Sequence, residues 1–247
     1  MTLAALERAE VDYRGRPALG PLDLDIAEGS ATAIVGPSGC GKSTALRLLA
    51  GLEEPARGRT ARIAGRGETA LVFQAPTLAP WATALTNVAL PLELAGTPRA
   101  EARSRAAAAL AAVGLAGAEG LRPAQLSGGM AMRASLARAM VVRPRLLLLD
   151  EPFAALDEIT RRRLADDVLS LWAEVRPAMI FVTHNVEEAV YMAQRVVVLT
   201  PGPGRIAAVF DIDGPLPRPA GHRSTPAFRE TAERVSAALE AAVGVAA

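Results

Sequence analysis

The chain has 247 residues, 51% of them hydrophobic and 21% charged, with 27 basic against 26 acidic side chains. That length buries a core unaided and suits one large α/β domain, and the near balance of charge gives no electrostatic ground for a nucleic-acid partner. Cys40 is the only cysteine, which excludes an internal disulfide and a cysteine-based metal cluster within one chain.

In chain order, the start MTLAALERAEVDYRG mixes acids with apolar residues. It lacks the basic opening and long apolar core of a signal peptide, so none is expected. Pro17–Gly29, with Leu22, Leu24 and Ile26 alternating, predicts a strand in an antiparallel element beside the main sheet. Ser30–Val35 predicts a buried strand running directly into a glycine-rich loop, and Ser43–Ala50 a helix closed by Gly51. Further strands are expected at Ala70–Phe73, Leu146–Leu149 and Ala178–Val182, ending at Gln74, at Asp150 and just before Thr183-His184. Open α/β sheets place ligands at the C-terminal ends of their strands, and these polar segments fall there.

Between the strands expected at Ala70–Phe73 and Leu146–Leu149, Leu85–Met140 is helix-rich, and Arg99–Val113 is an alanine-rich strong helix former. The length of the stretch predicts a lateral subdomain. Ala106–Ala118 is the most continuous run of small apolar residues and is too short to cross a bilayer, so attachment to a membrane would come through partners. Val196–Val209 predicts two short strands across Pro201-Gly202-Pro203-Gly204, and a last helix is expected from Pro226 with Thr225 as its cap.

Gly36-Pro37-Ser38-Gly39-Cys40-Gly41-Lys42-Ser43-Thr44 matches the phosphate-binding loop pattern in full. Glycines let backbone N–H groups turn inward around a phosphate, and the following helix adds its N-terminal dipole. Lys42, the only lysine in the chain, would reach the β- and γ-phosphates, while Ser43 would coordinate Mg²⁺. Cys40 inside the loop is a small filler without a redox role. Leu146-Leu-Leu-Leu-Asp150-Glu151 delivers two adjacent carboxylates at the mouth of an apolar strand. Asp150 suits the magnesium shell and Glu151 suits polarising an attacking water, which is most of what phosphoryl transfer needs. His184, at the end of the next strand, is a candidate sensor of the γ-phosphate. His222, the only other histidine, lies in a Pro/Gly-rich tail, so the two do not suggest a metal cluster.

These residues resemble the ATP-binding subunits of ABC transporters across residues 8 to 210. Leu126-Ser127-Gly128-Gly129-Met130 looks like the family signature, whose serine and glycines contact ATP held by the opposite subunit. The resemblance makes Tyr13 the aromatic that stacks on adenine and Gln74 the residue that senses magnesium and faces the membrane subunit. It makes Asp150 and Glu151 the Walker B aspartate and catalytic base, Ala155-Leu156-Asp157 the loop that crosses the dimer interface, and His184 the switch histidine. Within the family the likeness is to nitrate, sulfonate and taurine importers. It is carried by Asp150-Glu-Pro-Phe-Ala-Ala-Leu-Asp157, Thr183-His-Asn-Val-Glu-Glu-Ala189, Pro203-Gly204-Arg205-Ile206 and Pro80-Trp81. Trp81 reads equally as a core aromatic or as part of a contact surface.

The resemblance implies an α/β fold: a P-loop NTPase core of mainly parallel sheet, with an antiparallel β subdomain and a helical subdomain bearing the signature. The core is expected at about 1–84 and 141–210, the helical part at about 85–140, and a short helical tail at about 211–247. Three departures stand out. Met132 occupies a position where glutamine is usual, which places turnover in question. The segment between Gly51 and Gln74 is short, so a hairpin there is expected to be trimmed. Residues after about Val209 are too few for a regulatory domain.

The implied mechanism is a head-to-tail dimer of two copies closing on two ATP. Glu151, His184 and Lys42 form the catalytic set, and Ser43, Gln74 and Asp150 hold Mg²⁺. Implied partners are two integral membrane permease subunits and an extracytoplasmic solute-binding protein, at the cytoplasmic face of the inner membrane, with no nucleic acid. Two alternatives stay open on the sequence. One is an ATPase for export or lipid trafficking, and the other is an ATP-binding regulatory subunit with little turnover.

Overall fold

Strands that are mainly apolar on both faces have little to offer solvent and pack inside a sheet covered on both sides. The computed structural model, which describes residues 1–154 and 156–244, forms such a sheet from β3 (Ala31–Val35), β5 (Thr69–Val72), β6 (Leu146–Asp150), β7 (Ala178–Thr183), β8 (Arg195–Leu199) and β9 (Ile206–Asp211). Its order is β5-β6-β7-β3-β8-β9, parallel throughout except for β9, which pairs antiparallel with β8 at the edge. All residues of β3 and β7 are buried, whereas edge strand β9 alternates half-buried and exposed positions. Before it come β1 (Thr2–Tyr13) and β2 (Arg16–Ala27), which pair with β4 (Arg57–Arg62) in a separate antiparallel sheet of order β2-β1-β4.

The helices are α1 (Lys42–Ala50), α2 (Ala84–Leu94), α3 (Arg99–Ala112), α4 (Gly128–Met140), α5 (Glu158–Val175), α6 (Val186–Met192) and α7 (Pro226–Gly244). Side chains two residues apart on a strand share a face, and β6 divides accordingly. Leu147 and Leu149 join Phe181, Leu136, Leu164 and Trp172 beneath α4 and α5, while Leu146 and Leu148 join Ile180, Leu46, Leu49 and Leu22 beneath α1 and the antiparallel sheet. A third core joins α2, α3 and α4 through Val88, Leu92, Ala106, Leu110, Ala134 and Ala137. On α3 the buried residues are Ala102, Ala106 and Leu110, a four-residue spacing that keeps one narrow face inward.

The expected elements form with ends moved by one or two residues. The strand expected at Ala70–Phe73 is Thr69–Val72, and the helix expected at Ser43 begins at Lys42. Strand β4 lacked a sequence signal. In β4, RGRTAR contains one alanine and no larger apolar side chain, so it is a strand only because β1 supplies its ladder. It is also the one strand between Gly51 and Gln74 that joins the antiparallel sheet. Thr225 caps α7 as expected, its Oγ1 accepting from Phe228 N at 3.2 Å. Among the described residues, no helix is long and apolar enough to cross a membrane.

Candidate functional site

The sheet order makes β5, β6, β7 and β3 contiguous and parallel, so their C-terminal ends open on one edge. The residues beyond those ends are Gln74, Asp150-Glu151, Thr183-His184 and the loop from Gly36. Sequence places them up to about 150 positions apart; parallel pairing brings them together.

The loop is shaped by its neighbours as much as by its glycines. A Cβ on Gly36 would stand 2.7 Å from Cys40 Sγ and 3.2 Å from Leu199 Cβ, and one on Gly41, at φ 96°, would meet Ala18 O at 2.5 Å. Gly39, at φ 78°, faces open space, leaving the crest of the loop free for a ligand. Cys40 fills the floor, fully buried, and burial pushes its thiol above the usual range despite Lys42 nearby. That keeps the sulfur protonated and unreactive. Pro37 and Ser38 complete the turn between Gly36 and Gly39. The first-turn N–H groups of α1, at Lys42, Ser43 and Thr44, have no intrahelical acceptors and sit at the positive end of the helix dipole.

Lys42 is buried, and its Nζ donates to Gly36 O at 2.8 Å and Pro37 O at 3.0 Å, 4.0 Å from Glu151 Oε1. A cationic head is thus held by loop carbonyls where a phosphate chain would lie. Ser43 Oγ donates to Asp150 Oδ1 at 2.8 Å. Burial raises the Asp150 carboxyl above its usual range, an effect that the Ser43 bond opposes. Glu151 takes a left-handed backbone, φ 44°, and its N–H donates to Val182 O at 3.1 Å. Such a conformation is costly for a non-glycine residue and is kept where surrounding structure imposes it. It aims the carboxylate between Lys42 and His184, whose Nδ1 lies 3.1 Å from Glu151 Oε2.

Tyr13, at the end of β1, lies at the flank of this site. Its hydroxyl donates to Glu53 Oε2 at 2.6 Å and lies 3.5 Å from Thr44 Oγ1, while its ring is 43% exposed. Arg47 knits the flank together, pairing with Glu53 at 2.7 Å and donating to Thr44 Oγ1 and Tyr13 Oη at 3.2 Å each. Gln74 is exposed two residues past β5. Ser127 caps α4, its Oγ accepting from Met130 N at 3.2 Å. Gly128 faces open space and Gly129 packs against Thr160 and Leu156. Among the described residues, no hydrogen bond or ion pair joins Ser127, Gly128 or Gly129 to the glycine-rich loop. Ala155 lies outside the described residues, whereas Asp157 caps α5 by accepting from Thr160 N at 3.0 Å. Trp81 is 78% exposed, so its reading as an ordinary core aromatic is wrong. Met132 is buried within the apolar core of α4 and α5, beside Leu136, Phe153 and Leu156.

The donor set fits a hard cation of the Mg²⁺ kind. A hydroxyl and a carboxylate converge, and Mg²⁺ characteristically takes one or two carboxylates plus waters and substrate phosphate oxygens. No group of three His, Cys, Asp or Glu able to hold a metal exists among the described residues, so phosphate oxygens would complete the shell. Sequence reasoning missed the flank residues Arg47 and Glu53, which carry no motif signal because only the fold brings them to Tyr13.

A glycine-rich loop opening a helix, a buried lysine and a carboxylate pair at the neighbouring strand end define a P-loop nucleoside triphosphatase, here with a helical arm and an antiparallel sheet. The ABC transporter family matches residues 19–154. A protein of Brucella abortus named only for ATP binding is 42% identical over 228 residues, covering 90% of this chain and 88% of its own. The taurine import ATP-binding protein TauB of Pseudomonas entomophila is 41% identical over 249 residues, covering 96% of each chain. Among solved structures, the ATP-binding cassette MJ0796, dimeric in a post-hydrolysis state bound to ADP and Pi, superposes with a TM-score of 0.77 at 30% identity. That match spans 86% of this chain and 100% of the cassette. The chain belongs to the ABC transporter family and is an ATP-binding, ATP-hydrolysing transporter subunit.

Proposed function

We propose that the protein energises import of a small solute, a nitrate-, sulfonate- or taurine-like anion or a related small organic molecule, across the cell membrane. The observation that carries the hydrolytic part is the Lys42–Glu151–His184 arrangement, with Glu151 4.0 Å from the lysine and 3.1 Å from the histidine at the mouth of the sheet. The import direction rests on likeness to TauB proteins.

In this reading Gly36–Thr44 wrap the phosphates and Tyr13 takes the adenine face. Lys42 offsets charge on the β- and γ-phosphates, Glu151 orients water and accepts its proton, and His184 holds Glu151 in place. Mg²⁺, when bound by Ser43, Asp150 and Gln74, supplies charge neutralisation at the phosphate oxygens. Among the described residues, Ser127, Gly128 and Gly129 make no hydrogen bond or ion pair with the loop of their own chain, which supports a head-to-tail pair in which they meet nucleotide held by a second copy. Contacts made only in the closed pair are what let ATP favour closure. The core at 1–84 and 141–210 hydrolyses, the helical part at 85–140 carries the signature, and a short helical tail occupies 211–247, its described part to Gly244 packing on the core. Two integral membrane permease subunits dock near Gln74–Trp81 and an extracytoplasmic solute-binding protein delivers cargo. That places the chain peripherally on the cytoplasmic face of the inner membrane, with no nucleic acid involved.

The test is Mg²⁺-dependent ATP hydrolysis by the purified chain over a range of protein concentrations, alongside Glu151→Gln. Activity rising faster than linearly, abolished in the variant while that variant dimerises with ATP, is expected. Linear activity indifferent to Glu151 overturns the paired-site mechanism. Taurine uptake by vesicles carrying the full complex then tests direction and cargo.

A further inference from the structure

His184 is 58% exposed, and its only side-chain partner among the described residues is Glu151. An exposed imidazole at a strand end has many rotamers open to it, so something must fix the backbone from which it projects. That backbone is clamped on both sides by one residue. Glu188, in the first turn of α6, accepts from Thr183 Oγ1 through its side chain at 2.6 Å and gives its own N–H to Asn185 Oδ1 at 3.1 Å. Asn185 N in turn donates to Thr183 Oγ1 at 3.0 Å, closing a small ring of bonds around position 184.

Glu188 is itself anchored from another element. Its side chain is only 10% exposed, and Arg161 Nε of α5 lies 3.3 Å from its Oε1, an ion pair off hydrogen-bond alignment. Burial raises the Glu188 carboxyl above its usual range, with Thr183 and Arg161 opposing that shift. Arg161 reaches in the other direction too, its Nη2 donating to Leu156 O at 2.9 Å and its Nη1 lying 3.3 Å from Glu158. A buried, partly desolvated ion pair is a poor source of net stability. It does impose a fixed geometry on whatever it joins.

We propose that Glu188 and Arg161 are positioning residues for His184, fixing the imidazole against Glu151 by tying the Thr183–Asn185 turn to the N-terminal end of α5. This rests on the reading of Glu151 and His184 as the catalytic pair. The same contacts link the His184 turn to Leu156, so displacement of the Leu156-Asp157 segment is felt at the imidazole.

With two histidines in the chain, the His184 ring is observable singly by ¹⁵N NMR once His222→Gln removes the other signal. In that background Glu188→Gln keeps an acceptor for Thr183 but loses the charge facing Arg161, and Arg161→Met removes the tether. Both are expected to move the His184 Nδ1 signal away from its carboxylate-bonded position and to lower kcat by about tenfold with KM within about twofold, as displacement of a reacting group does. Arg161→Lys, which keeps the charge, is expected to recover part of both. An unmoved His184 signal in both variants, with folding shown by unchanged circular dichroism, overturns the proposal even if activity falls. A moved signal with unchanged kcat also overturns it. Absence of ATPase activity in the wild type would count against the proposed function, while the NMR comparison would still decide the positioning claim.

Discussion

Arg218 is buried, at 6% exposure, and no carboxylate pairs with it among the described residues. Its guanidinium instead serves carbonyls: Nε to Tyr191 O at 3.1 Å, Nη2 to Ala193 O at 2.7 Å and Val190 O at 3.4 Å, and Nη1 to Asp213 O at 2.8 Å and Pro215 O at 3.4 Å. Three of these acceptors are at the C-terminal end of α6, where helix geometry leaves carbonyls unpaired and the dipole is negative. A seven-residue helix is too short to stand on its own propensity. Arg218→Met keeps an apolar stem and removes every donor. Each acceptor left buried without a partner costs about 1–3 kcal/mol, while release from burying the guanidinium, whose ionisation burial already disfavours, returns part of that. The net expectation is a loss of about 3 kcal/mol, which in a chain of this size lowers Tm by about 6–12 °C. Thermal unfolding followed by circular dichroism reads it, with Arg218→Lys expected to fall between the two because three donors on a point replace a planar fork. A shift below about 2 °C for Arg218→Met would refute the cap argument.

Further outcomes follow from the same geometry. Met132→Gln installs the residue usual in the family, but Met132 lies in an apolar core, so burial of an amide is expected to cost about 1–3 kcal/mol of stability in denaturant titration, without raising turnover. For Asp150 the carboxyl is raised in the folded chain, so its folded state is favoured while it is protonated, and that contribution is lost as pH rises through its folded value. Nucleotide-free Asp150→Asn is therefore expected to gain Tm relative to wild type as pH rises above the carboxylate range, while losing ATPase activity. Equal gains at low and neutral pH would contradict the burial argument. Glu53→Ala releases Tyr13 and Arg47 together, and a lost bond of about 1 kcal/mol should raise KM for ATP about fivefold with kcat nearly kept.

The parts of the site that were legible in the sequence are those where chemistry demands a local pattern. Gly36, Gly41 and Lys42 are readable because a backbone that wraps a phosphate needs glycine at fixed offsets, and Asp150-Glu151 because carboxylates follow a strand of leucines for no solubility reason. What was not legible lacks any local pattern. The antiparallel strand β4 has almost nothing apolar to alternate and exists through its partner β1. Arg47, Glu53, Arg161, Glu188 and Arg218 look in the sequence like surface charges, and burial or pairing distinguishes them only after folding.

By itself, then, the sequence determined which groups are available: a phosphate loop, a magnesium-suited hydroxyl and carboxylate, a second carboxylate beside it and a histidine, each at the end of an apolar run. The tertiary structure alone decided their relation. Parallel pairing in the order β5-β6-β7-β3 sets Glu151 between Lys42 and His184, and packing of α5 and the tail against α6 fixes the turn that carries the histidine. The physical reason is range. Motifs are written by interactions between near neighbours in the chain, whereas strand order and buried ion pairs depend on contacts between residues far apart in it, which no local pattern records.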